Sequence, residues 1–136
     1  MKIISLLILS IVLFNSTIGT AQNLSKIEKN LVAEIDKNYT ETMKLLEDVV
    51  NINSGTLNVE GVKKVGEEFA KEFKALGFET EWVDLPASNR RAGHLVATRI
   101  GTKGKKILMI GHLDTVFEKD MPFSPFTVLN DSTATG

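Results

Sequence analysis

Behind an apolar start, hydrophobic and charged residues alternate along much of this chain with a helical period. From Leu24 to Asn51 the apolar positions Ile27, Leu31, Ile35, Leu45, Leu46, Val49 and Val50 fall near a 3.6-residue repeat, with Lys and Glu between them. The pattern predicts one helix. Ser25 with Glu28 three residues later is a capping box at its start. Asn53-Ser54-Gly55-Thr56 is a turn signal that ends it. A second helix is predicted over Val59 to Leu76, where Val62, Val65, Phe69, Phe73 and Leu76 recur at threes and fours. Gly77 then stands where a helix-terminating glycine belongs. Phe78 to Leu85 alternates, with Phe78, Thr80, Trp82 and Asp84 on one side and Glu79, Glu81, Val83 and Leu85 on the other, which predicts a strand. Pro86 to Gly93 reads as loop.

His94 to Ile100 reads as the next strand and Gly101-Thr102-Lys103-Gly104 as a turn. Lys105 to Ile110 reads as a strand whose centre, Ile107-Leu108-Met109-Ile110, is apolar on successive residues. That pattern implies burial on both faces, in the middle of an α/β sheet. The short turn predicts a hairpin between these two strands, so the sheet is mixed and not wholly parallel. The fold class expected is α/β, a mixed sheet covered by helices. A polar, proline-containing loop follows, and Thr133 to Gly136 supplies no closing element. A buried central strand needs neighbours that the remaining residues do not provide. Residues 22–136 are therefore expected to be the incomplete N-terminal portion of a larger domain.

The apolar start has its own logic. Met1-Lys2 is a short basic opening, Ile3 to Phe14 is almost wholly apolar, and Asn15 to Ala21 is small and polar. This is the order of a secretory signal peptide, expected over residues 1–21, with the mature chain beginning near Gln22. The apolar run falls short of the ~20 residues needed to span a bilayer, so no stable membrane anchor is expected. The chain has 136 residues, 43% hydrophobic and 24% charged, which is ordinary globular composition. Its formal net charge of -1, from 16 basic and 17 acidic residues, does not point to nucleic acid. There are no cysteines, which excludes disulfides, thiolate metal sites and a cysteine nucleophile. Export without cysteines fits a bacterial periplasm, or secretion from such a cell.

The candidate chemistry lies in Gly111-His112-Leu113-Asp114-Thr115, just past the apolar run. Ligands of open α/β sheets bind beyond the carboxyl ends of strands. A neutral imidazole there is a good zinc ligand. In extended backbone, residues i and i+2 project to the same side. Asp114 can then accept from the second ring nitrogen of His112 and fix its tautomer. Gly111 would let the backbone turn closely. The spacing alone leaves two readings open, a metal site or a turn with a hydrogen-bonded Asp. One histidine cannot hold zinc, which needs three or four protein ligands. His94 reads as an edge-strand histidine, and Trp82, Phe69 and Phe73 as packing residues. Glu67-Glu68 reads as solvated helix face, and Arg90-Arg91 as solvated loop.

The wider string Ile107-Leu108-Met109-Ile110-Gly111-His112-Leu113-Asp114-Thr115-Val116 resembles the first metal-site motif of the M20 family of metallopeptidases. Ser124-Pro125-Phe126, with the short polar strand that follows, is similar to the glutamate carboxypeptidase (carboxypeptidase G2-like) branch. So are Val50 to Thr56 and Leu76-Gly77-Phe78. The resemblance implies a dizinc catalytic domain with a smaller inserted domain, and a homodimer for the full-length protein. It implies that His112 is a zinc ligand and Asp114 the catalytic-site aspartate that supports it. The metal-bridging aspartate, general-base glutamate and remaining ligands are expected beyond Gly136; Asp120 and Asp131 read as loop residues. The implied reaction is metal-assisted hydrolysis of a peptide or N-acyl amino acid with a free carboxylate. An amino-acid deacylase of the same family and a non-catalytic exported binding domain are the alternatives. The chain as it stands brings one ligand and no base, so alone it is expected to be inactive.

Overall fold

The computed structural model describes residues 23–136; the expected leader over residues 1–21 lies outside the described residues. The described residues up to Asn38 and those from Tyr39 onward form two separate units. In the first, helix α1 (Lys26–Lys37) begins with the expected capping box. Ser25 Oγ accepts from Glu28 N at 3.3 Å, and Glu28 Oε2 accepts from Ser25 N at 2.7 Å. The reciprocal pair satisfies two amides that a helix start leaves bare. Where one helix was expected over 24–51, the chain forms two, and Asn38 separates α1 from α2 (Tyr39–Val50). The cause is local. Glu34 O accepts from the Asn38 backbone N–H, and Asn38 Nδ2 also donates back to the same Glu34 O at 2.7 Å, a local side-chain bond of the kind asparagine makes at helix ends.

The second unit is organised by helix α3 (Val59–Ala75) and an antiparallel pair, β1 (Glu79–Val83) and β2 (His94–Thr98). Asn58 caps α3 by accepting from Gly61 N at 3.2 Å. The helix ends at Leu76, with Gly77 at φ 79° as the sequence pattern requires. The register pairs Glu79 with Thr98 and Val83 with His94, so Trp82 lies opposite Leu95. Thr80 and Trp82 are half-buried while Glu79, Glu81 and Val83 are exposed, as the alternation predicts. α3 packs against both strands. Val62 and Val65 are buried on its inner face. A Cβ on Gly66 would meet Trp82 Cζ3 at 2.5 Å and Leu113 Cδ1 at 3.3 Å, so both side chains rest close to the helix backbone. The Phe73 and Phe78 rings pack at 5.3 Å between centroids. Trp82 Nε1 donates to Ala92 O at 3.0 Å and ties the β1–β2 connection to the same core.

Several expectations are corrected. The partner of β2 is β1, and residues 105–110 form no strand. Ile107, Leu108, Met109 and Ile110 are 83–88% exposed, where burial on both faces was expected. The inner face of α3 is already covered by β1, β2 and Leu113, and the described residues offer no strand to pair with the run. The described sheets are both two-stranded and antiparallel, with helices alongside, an α/β mixture but no mixed sheet with a buried central strand. The one parallel element among the described residues is a single bridge, Gly55 to Thr115. The chain end, expected to lack a closing element, forms a hairpin of β3 (Thr127–Asn130) and β4 (Thr133–Thr135). Its turn is fixed by Asn130 Oδ1, which accepts from Ser132 N at 3.0 Å.

Candidate functional site

The segment after α2 is rich in Asn, Ser, Gly and Thr, residues whose side chains bond backbone groups nearby or across a loop. Asn53 Nδ2 donates to Phe117 O at 3.1 Å, and Asn51 Oδ1 accepts from Phe126 N at 3.0 Å. Asn58 Nδ2 donates to Asn53 O at 2.6 Å, which braces the loop on itself. The backbones join directly as well. Thr56 N donates to Thr115 O at 3.0 Å, and Thr115 N to Ser54 O at 2.9 Å. The Glu118 carboxylate accepts from Leu57 N at 3.1 and 3.2 Å. Gly55 is needed at this junction, because a Cβ there would lie 2.6 Å from Glu118 Cα and Phe117 O. Ser54 and Asn58 are buried, and no buried side-chain polar atom among the described residues lacks a partner.

This junction holds the His-x-Asp stretch. Leu113 turns in against α3 at Gly66, and its two neighbours flank that contact. His112 Nδ1 lies 3.0 Å from Asp114 Oδ1, the hydrogen bond that the spacing anticipates. An ionised carboxylate only accepts, so Nδ1 of the neutral ring carries the proton and Nε2 keeps its lone pair. The second carboxylate oxygen, Oδ2, accepts from Thr56 Oγ1 at 2.8 Å. Thr56 Oγ1 is also 3.1 Å from Thr115 O. The His112 imidazole, and after it the Thr56 hydroxyl, hold the Asp114 carboxyl below its usual range. The His112 side chain is 90% exposed and that of Asp114 only 29%, so a fixed carboxylate presents an open imidazole.

Gly111 has open space around it and no positive φ, so the close turn expected of it is not made. His94 opens β2 and is exposed, as an edge histidine would be. It nevertheless lines the same cleft of about 360 Å³ as His112, Asp114 and Thr56. Arg91, read from sequence as solvated loop, lines that cleft too. Glu68 pairs with Lys71 at 2.7 Å on the outer side of α3. Asp120 and Asp131 both lie in turns. Among the described residues no three His, Asp or Glu side chains gather as a metal site. His112 offers one ligand nitrogen, and that set does not by itself fit a zinc ion.

With this geometry in view, one comparison with known proteins is informative. The chain is similar to carboxypeptidase G2 of Pseudomonas sp. (strain RS-16). The two are 35% identical over 95 residues, which are 65% of this chain and 21% of carboxypeptidase G2. The chain thus spans about a fifth of the length of the curated relative it matches. No family model matches the chain, and no solved structure matches it. The likeness to carboxypeptidase G2 is partial, and it relates this chain to a carboxypeptidase at a distance.

Thr56, Asn53 and Glu118 were not singled out in the sequence as organisers of the site. The signal was present in the dense run of Asn, Ser, Gly and Thr after α2, but such a run also reads as an ordinary turn.

Proposed function

We propose that this chain carries the first ligand arm of a zinc-dependent hydrolase that cleaves the amide bond of small peptides or N-acyl amino acids. The reading rests on the His112–Asp114 hydrogen bond at 3.0 Å, a carboxylate-backed imidazole whose Nε2 makes no hydrogen bond among the described residues. A metal-ligating histidine commonly donates its other ring N–H to a carboxylate in this way. The partial similarity to carboxypeptidase G2 supports the hydrolase class, and the His-x-Asp-Thr core supports its M20 type. In this reading His112 binds the metal through Nε2 and Asp114 orients the ring. The other ligands and the general base belong to chain beyond Gly136. Export through residues 1–21 and a homodimeric full-length protein are part of the same proposal.

The test is made on the product of the whole gene. Its zinc content is measured by elemental analysis, and its hydrolysis of N-acyl glutamates is followed by release of glutamate. The expected result is two zinc ions per chain, with hydrolysis abolished by a chelator and both lost in His112→Ala. A folded product that holds no zinc when grown with excess metal sinks the reading. So does an H112A variant that retains both zinc and activity.

A further inference from the structure

The cleft that holds His112 also holds Arg91, a cation that forms no ion pair among the described residues. Arg91 lies in the connection between β1 and β2 and lines the cleft beside His94 and His112. Its only hydrogen bond among the described residues runs from Nη1 to Arg90 O at 3.2 Å, and no described carboxylate pairs with it. The guanidinium has five N–H donors in a planar fork, so most remain available. The loop is held on both sides of it. Arg90 adopts a left-handed conformation at φ 52°, unusual for a residue with a Cβ. Ala92 is buried, and its carbonyl accepts from Trp82 Nε1 at 3.0 Å. Arg91 is thus a free fork on a braced loop at the edge of a small cleft.

The rest of the lining defines what could lie there. Val62, Leu85, Leu95 and Leu113 give it apolar surface. The Asp114 carboxylate is turned toward His112 through one oxygen and Thr56 through the other, and its charge disfavours an anion beside it, so an anionic ligand group belongs at the Arg91 edge of the cleft. A volume of about 360 Å³ falls in the range of small-ligand sites. A planar guanidinium binds a carboxylate through two parallel N–H···O bonds. We propose that Arg91 is the carboxylate-binding residue of this cleft, taking the free carboxylate of a small acyl amino acid whose apolar part lies on Val62, Leu95 and Leu113. This deepens the proposed hydrolase site and takes its substrate class from that reading, while the binding itself needs neither metal nor catalysis.

The experiment is an NMR titration of the full chain, labelled with ¹⁵N, using hippurate (N-benzoylglycine) and its methyl ester. The acid is expected to shift the Arg91 Nε–H and the amides of Gly93, Leu95 and Leu113 saturably. The ester should bind at least about tenfold more weakly, because it lacks the charged acceptor. Arg91→Gln should weaken the acid by a similar factor and leave the ester unchanged. Arg91→Lys should fall between, since it keeps the charge and loses the fork. Equal binding of acid and ester by the unmodified chain overturns the proposal, and this arm does not depend on any variant folding. Shifts confined to the exposed lysines 103, 105 and 106 overturn it as well, because they mark non-specific attraction. Saturable binding at Arg91, in a protein whose whole gene product holds no zinc and hydrolyses nothing, would refute the hydrolase reading and leave this one standing.

Discussion

Replacing Thr56 by valine isolates the hydrogen bond on which the His112–Asp114 pair rests. Valine keeps the branched shape and removes the hydroxyl that donates to Asp114 Oδ2 at 2.8 Å. A hydrogen bond to a charged group contributes about 1.5–3 kcal/mol. The Asp114 side chain is 29% exposed, so water can replace part of the lost bond, and the lower end, about 1.5 kcal/mol, applies. The readout is hydrogen exchange at Thr115 N, which bonds Ser54 O at 2.9 Å inside the same junction. Its protection should fall by about tenfold at neutral pH, while Thr56→Ser stays within about twofold of the unmodified chain. The effect has a defined pH dependence. The folded chain holds the Asp114 carboxyl below its usual range. The associated stabilisation is therefore fully present above about pH 4 and is lost as pH falls through the depressed value. The gap between T56V and the unmodified chain should accordingly narrow at the acid end. A T56V penalty of the same size at acid and neutral pH would refute the reasoning, as would a serine variant that loses as much as the valine.

Other substitutions probe the remaining supports. Gly55→Ala puts a Cβ 2.6 Å from Glu118 Cα; overpacking of this kind costs about 1–3 kcal/mol. The amides of Leu57 and Thr115 should lose protection in exchange measurements while those of β1 and β2 keep theirs. Trp82→Phe removes the donor to Ala92 O and leaves that buried carbonyl unmet, so the urea unfolding free energy should drop by about 1–3 kcal/mol. Leu108→Glu should change stability by no more than about 0.5 kcal/mol, because Leu108 is 84% exposed. It should also reduce binding of a hydrophobic dye; a loss of several kcal/mol would mean that the run is buried after all.

The elements with local causes were legible in the sequence. Ser25 and Glu28 cap α1, Gly77 ends α3, and the period-2 pattern from Phe78 placed Thr80 and Trp82 on the half-buried side of β1. The His112–Asp114 contact was equally local, since two residues in extended backbone face the same way. What escaped were choices between partners. A continuous apolar run at 107–110 signals a need for cover but does not say that β2 will pair with β1. Asn38 looks like one more polar position in a helix until its side chain bonds back to Glu34 O. Thr56 and Asp114 find each other across 58 positions, and no short pattern records such a pairing.

That separation predicts an order of assembly. β1 and β2 are joined by the short stretch 84–93 and adjoin α3 in sequence, and hairpins of this kind form within microseconds. Bringing Thr56 to Thr115 closes 59 positions of chain, at about 3–4 kcal/mol of loop entropy that must be met before the junction's bonds compensate. The helix and hairpin are therefore expected to form before the junction, an order that pulse-labelled hydrogen exchange at the amides of β1, β2 and Thr115 would check. Before the junction closes, α3 can pack on β1 and β2, but Leu113 is not yet in place against Gly66 and the Asn-rich loop lacks its partner. His112 and Asp114 can meet locally, but the carboxylate gains its Thr56 partner only when the junction closes, so an activity that depends on a fixed imidazole is expected to appear late in folding.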